Sequence, residues 1–141
     1  NRLKMLKTLL PVLVLAQSCI LAVTASHYIA FGFKSGPYFE DRAGICLHDH
    51  TGLLMRDYDT FGSGVQNFGF HKNNWSLNVN WKNRNVGLQG HGTFDFQQFG
   101  KDWSNYHWQG CWNTDGAPPC SDFQERASKE CESYFKSVVW K

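Results

Sequence analysis

The chain has 141 residues and a mass of 16.2 kDa, which is room for one domain and too little for a second independent core. Hydrophobic residues make up 42% and charged residues 18%, too apolar and too weakly charged for a disordered chain. No repeat, heptad run or low-complexity tract is present, which excludes solenoid, coiled-coil and fibrous classes.

The N-terminus reads as a targeting segment. Arg2, Lys4 and Lys7 precede an apolar run from Leu9 to Val23, which closes on Val23-Thr24-Ala25. A basic region, an apolar region and a small-x-small site, in that order, make a secretory signal peptide over residues 1–25, cleaved after Ala25. Residues 1–4 read as lying upstream of a start at Met5. The competing reading is an uncleaved anchor, but the run of about 15 residues is short of the roughly 20 that span a bilayer. Nothing later approaches that length, so no stable membrane insertion is expected once the signal is removed.

The mature chain is then residues 26–141, a single domain. The whole sequence carries a formal +2, from 14 Lys+Arg against 12 Asp+Glu. Without Arg2, Lys4 and Lys7, eleven basic residues face twelve acidic ones, a net charge of −1. A near-neutral domain without a Lys/Arg cluster is poorly suited to holding phosphates, so no nucleic-acid partner is expected.

Tyr28 to Phe33 reads as the first strand. Ile45–His48 and Leu53–Arg56 flank Asp49-His50-Thr51-Gly52, a hairpin loop. Phe68 and Phe70 share a face. Asn74-Trp75-Ser76 is a glycosylation sequon at a strand start, which suits a surface site. Trp75, Leu77, Val79 and Trp81 alternate with Ser76, Asn78, Asn80 and Lys82, the period of a half-buried strand. A polar turn over residues 82–85 leads to a return strand at Val86–Leu88, and Phe94 and Phe96 again share a face. Recurrent glycines fit short strands, turns and bulges.

The C-terminal stretch changes character. Phe123, Ala127, Cys131, Phe135 and Val138 recur at helical steps, with Glu125, Arg126, Lys129, Glu130 and Glu132 off that stripe. This predicts one amphipathic helix over about 122–138, with Ser121 and Gln124 as a capping box. The expected fold is therefore mainly β: a small antiparallel sheet or sandwich with one C-terminal helix packed on it, stabilised by disulfides.

Of the five Cys, Cys19 falls in the signal, leaving Cys46, Cys111, Cys120 and Cys131, an even number in an oxidising compartment. No paired Cys/His spacing suggests zinc, so no metal or other cofactor is expected. Cys120 and Cys131 would be separated by roughly 15 Å of helix, beyond the ~7 Å that a disulfide bridges. Two pairings survive: 46–131 with 111–120, or 46–120 with 111–131. The first is preferred, because Cys131 lies on the core stripe and Gly-Ala-Pro-Pro can turn back between Cys111 and Cys120.

Candidate chemistry is sparse. His48-Asp49-His50, with Asp57 and Asp59 downstream, resembles a metal nest, but Asp and Gly suit a turn for backbone reasons alone. A ribonuclease-like hydrolase would need two acid–base groups and a cation, for which His107 with Tyr106, His91, Glu40 and Arg84 are the available residues. No nucleophile elbow, zinc motif or phosphate loop accompanies them.

The unusual feature is the aromatic content: 11 Phe, 6 Trp and 5 Tyr, none of them in residues 1–25. Trp103, Tyr106, Trp108 and Trp112 crowd together, and the last three share a parity opposite His107 and Cys111. Most such rings belong in a core. A small domain can hardly bury every Trp, and exposed indoles stack on sugars or anchor partner proteins.

In outline the chain resembles the small secreted cysteine-containing proteins that fungi and similar organisms release against hosts or competitors, although no motif ties it to a specific family. The expected function is a secreted, effector- or toxin-like interaction protein without catalytic residues. It would bind an extracellular protein or glycan through Trp103, Tyr106, Trp108 and Trp112 with Asn113 and Asp115 of the adjoining loop. The alternatives are a carbohydrate-binding module and, behind it, the ribonuclease-like hydrolase.

Overall fold

A computed structural model describes residues 25–38, 40–96, 103 and 105–141. The expected signal segment, Ala25 apart, lies outside the described residues. The fold is mainly antiparallel β with one C-terminal helix. The strands are β1 (His27–Ser35), β2 (Glu40–Asp49), β3 (Gly52–Gly62), β4 (Asn67–Lys72), β5 (Trp75–Asn80), β6 (Asn85–Leu88), β7 (Gly92–Asp95) and β8 (His107–Trp112). A single 3-10 turn, Cys120–Asp122, leads into helix α1 (Gln124–Val138).

Two four-stranded sheets result, in the orders β3-β2-β1-β8 and β4-β5-β6-β7. The second is a meander whose turns follow from local chemistry. Asn73 and Asn74 join β4 to β5 at φ of 54° and 65°, the left-handed conformation that a tight two-residue hairpin needs and Asn tolerates. Asp49 accepts a 2.8 Å hydrogen bond from the Thr51 amide and so shapes the β2–β3 turn.

The sheets face each other across one core. Ile29, Phe31, Ile45, Leu47 and Met55 of the first sheet meet Phe68, Phe70, Leu77, Val79, Val86 and Leu88 of the second. The other face of the first sheet is buried too, under α1. There Tyr28, Ala30 and Gly32 of β1 lie beside His48, Cys46 and Gly44 of β2. Two strand residues rise about 6.7 Å and four helix residues about 6 Å, so Ala127, Cys131 and Phe135 step along the same ladder. Phe135 fits only because the paired Gly32 and Gly44 lack side chains. A Cβ on Gly32 would lie 2.7 Å from the Phe135 ring, and one on Gly44 would lie 2.6 Å from Val139.

The cysteines pair as Cys46–Cys131 and Cys111–Cys120, with Cα separations of 5.7 and 6.2 Å. The first joins the central strand β2 to α1. The second closes the loop from β8 to the helix. Among the described residues no helix is long and apolar enough to cross a membrane. With the disulfides, this is compatible with a secreted protein.

Two expectations about the helix are corrected. Phe123 is its N-cap and no side chain caps it, because Ser121 is taken up in the 3-10 turn. The stripe also ends on the buried Val139 and Trp140, with Val138 only half-buried. At this end Lys34 donates to the Trp140 and Lys141 carbonyls (3.3 and 3.0 Å), and Arg42 to that of Val138 (3.4 Å). Cations there complement the helix dipole.

Candidate functional site

The aromatic residues that cluster in sequence do not form one surface. Along β8, His107, Gln109 and Cys111 face α1, while Trp108, Gly110 and Trp112 face the opposite way. Trp103 is a core residue, 8% exposed, stacked on His107 at 4.1 Å and edge-on to Phe135 and Trp140. It sits on the helix side of the sheet, so it is removed from the expected binding patch. The Tyr28 hydroxyl donates to Gln109 in the same layer, and burial pushes its pKa up.

Trp108 and Trp112 are divided as well. They stand about 13 Å apart along the strand, on either side of Gly110. The Asp95 carbonyl passes so close to Gly110 that a Cβ there would lie 3.1 Å from it. Trp112 packs with His27, His91 and Phe94 at one end of the sandwich. Trp108 packs with Trp81 at the other, centroids 4.0 Å apart and planes at 83°.

The adjoining loop has structural work of its own. Asn113 accepts a 2.9 Å bond from the Cys120 amide. Thr114 donates to the Ala25 carbonyl at 2.9 Å and to the Ser26 hydroxyl at 3.0 Å. Asp115 is exposed, but it lies at the Trp112 end of β8, away from Tyr106.

What the fold does build is a cleft of about 490 Å³ at the Trp108 end. Phe33, Lys34 and Ser35 of β1, Trp81 and Arg84 of the β5–β6 turn, and Asn105 and Tyr106 before β8 line it. The Phe33 amide donates to the Tyr106 carbonyl at 3.0 Å, which fixes Tyr106 against β1. Its ring lies over Trp108 at 5.8 Å and 23°, and 69% of the residue remains exposed. Trp81 stacks on Phe33 at 5.4 Å and 27°.

Arg84 completes the group. Its guanidinium carbon lies 4.0 Å from the Trp81 centroid and 4.3 Å from that of Trp108. Its backbone is left-handed, φ 56°, a conformation that costs a non-Gly residue about 1 kcal/mol or more. Of these residues only Tyr106 and Trp108 belong to the expected patch. Phe33, Trp81 and Arg84 join them through strand pairing, which nothing local in the sequence signals.

His91 and His107, the histidines expected to serve a hydrolase, are not brought together. His107 lies under Trp103 on the helix side, with Nδ1 2.8 Å from the Asn105 carbonyl oxygen. His91 is at the far end of the sandwich beside His27, ring centroids 4.8 Å apart. His27 is 2% exposed among Trp75, Trp112 and His91. Burial pushes its pKa below the ordinary value, and the neighbouring His91 pushes the same way.

His48 is fully buried beneath α1 beside the Cys46–Cys131 bridge, with no hydrogen bond to either ring nitrogen. Its Nδ1 is 3.6 Å from Glu130, yet burial outweighs that carboxylate and lowers the pKa. Ligand atoms of Cys46, His48 and Cys131 lie within 4.8 Å of one another. The two sulfurs are already joined, so of these three residues one imidazole is left as a donor.

Asn74 is exposed at the tip of the β4–β5 hairpin. The outer face of the second sheet is a shallow polar trough of about 610 Å³, with Asn67, Asn78, Gln89 and Thr93 around Gly69 and Gly87. No family model, curated protein or solved structure matches the chain.

Proposed function

We propose that the chain is a secreted, non-enzymatic interaction protein that engages an extracellular partner through the aromatic cleft. The observation that carries this reading is Tyr106. A large ring that is 69% exposed, held over Trp108 and tied to β1 by its own carbonyl, forms one wall of a cleft containing Phe33, Trp81 and Arg84. Most other large rings are spent in the two cores. A rigid aromatic wall loses little freedom on binding, which is how a small surface reaches useful affinity.

Secretion is supported by the basic and apolar N-terminus, the Val23-Thr24-Ala25 site and the two disulfides. The effector-like role rests on the same outline. The ribonuclease-like alternative loses support, because His91 and His107 lie on different faces and at opposite ends of the sandwich.

The test is a binding screen of oxidised residues 26–141 against glycans, cell-wall polysaccharides and purified extracellular proteins, read by tryptophan emission. A hit through the cleft should shift the emission of Trp81 and Trp108 and be weakened about tenfold or more by Tyr106→Ala. A hit that Tyr106→Ala leaves unchanged places function elsewhere.

A further inference from the structure

The charge distribution in the cleft points to the class of ligand. Among the described residues the lining contains two cationic side chains, Lys34 and Arg84, and no carboxylate, in a domain whose expected net charge is −1. The Lys34 ammonium is engaged by the carbonyls at the end of the chain. Arg84 is not engaged in this way. Among the described residues no hydrogen bond or ion pair occupies its guanidinium, which is held by the two indoles alone.

Ring faces attract a guanidinium without consuming its N–H donors. Those donors form a fork that fits a carboxylate with two parallel bonds. Contact with Trp81 and Trp108 also removes much of the side chain's freedom before any ligand arrives, so less is lost on binding.

The rest of the cleft suits a pyranose ring. Tyr106 presents an aromatic face on which the apolar C–H face of a sugar can stack. Ser35 and Asn105 supply a hydroxyl and an amide for ring hydroxyls. One unengaged guanidinium matches a single carboxylate better than a polyphosphate, whose charges call for several cations.

We infer that the cleft binds a hexuronic-acid unit of an acidic polysaccharide, with Arg84 on the carboxylate and Tyr106 under the sugar ring. This rests on the cleft being the binding site, as proposed above.

The experiment is calorimetric titration of the oxidised protein with trigalacturonic acid, its methyl ester and the neutral cellotriose. The acid should bind. The ester and cellotriose should each bind about tenfold or more weakly, the loss of one charge-assisted pair. Arg84→Gln should weaken the acid by a similar factor, Arg84→Lys should keep part of the affinity, and added salt should weaken binding of the acid more than of the ester. Near-ultraviolet circular dichroism checks that each variant keeps its aromatic packing. If it does not for Arg84→Gln, the ester comparison on the unmodified protein decides.

Equal binding of acid and ester, or no binding of the acid, overturns the inference. In that event a Tyr106-dependent hit of another class, such as an acidic peptide or a neutral glycan, leaves the cleft as the site and removes only the uronate. Absence of any Tyr106-dependent ligand removes both.

Discussion

The two sheets are built to different standards. The sheet β3-β2-β1-β8 is packed on both faces, by the second sheet on one side and α1 on the other, and both disulfides are rooted in it. The sheet β4-β5-β6-β7 is packed on one face, and its outer face is a polar trough with glycines in its floor. The sequences carry the difference. Residues 27–32 of β1 are all buried, whereas β4 and β5 place Phe68, Phe70, Leu77 and Val79 inward and polar or small residues outward. Stability is concentrated in the first sheet. The candidate site lies where the sheets meet, with Phe33 and Tyr106 from one and Trp81 and Arg84 from a turn of the other.

This contrast can be broken from either side. The largest effect is expected at Cys46–Cys131, which closes 85 residues of chain. Replacing both cysteines with Ala should cost about 4.5 kcal/mol in a denaturant titration. The Cys111–Cys120 bridge spans only nine, and its loss should cost about 2.5 kcal/mol by the same reasoning. Equal effects would mean that loop length does not govern stabilisation here.

Gly32→Ala drives a Cβ into the Phe135 ring and should cost about 1–3 kcal/mol. Gly87→Ala in the open sheet brings the new Cβ only into ordinary contact, nearest Thr93 Oγ1 at 3.6 Å, so it should change stability by no more than about 0.5 kcal/mol. A comparable loss at both positions would contradict the asymmetry between the sheets.

Acid should weaken the first sheet through its buried imidazoles. His27, His48 and His107 all have pKa values lowered by burial from 6.5. A histidine lowered in the folded state binds its proton more readily when unfolded. Stability is therefore full above pH 6.5 and is lost as pH falls towards the folded-state values. Melting temperatures measured from pH 7.5 to 5 should fall steadily below 6.5, and His48→Leu should flatten that fall. An unchanged slope in the variant would assign the acid sensitivity to other groups.

Much of the fold was legible because it depends on local pattern. The alternation over Trp75–Trp81, the turn at Asp49–Gly52 and the stripe from Phe123 to Phe135 each report one element and its buried face. What was not legible depends on partners distant in sequence. Gly32 and Gly44 become one slot only when β1 and β2 pair. Trp103 looked like a member of an exposed cluster, and it is buried because α1 returns over it. The cleft was half visible. Tyr106 and Trp108 stand together in sequence, whereas Phe33, Trp81 and Arg84 reach them through strand pairing and the β5–β6 turn. Parity alone suggests that Trp108 and Trp112 act together, but it does not show that the end of β7, at Asp95, comes up against Gly110 between them.

The central claim is that binding belongs to the cleft between the sheets and not to the open polar face. The most direct measurement takes the strongest ligand from the binding screen and titrates it against the unmodified protein, Tyr106→Ala in the cleft, and Asn78→Ala in the trough. The account predicts a loss of about tenfold or more for Tyr106→Ala and less than about twofold for Asn78→Ala. The reverse pattern would place the ligand on the outer face of the second sheet and contradict it.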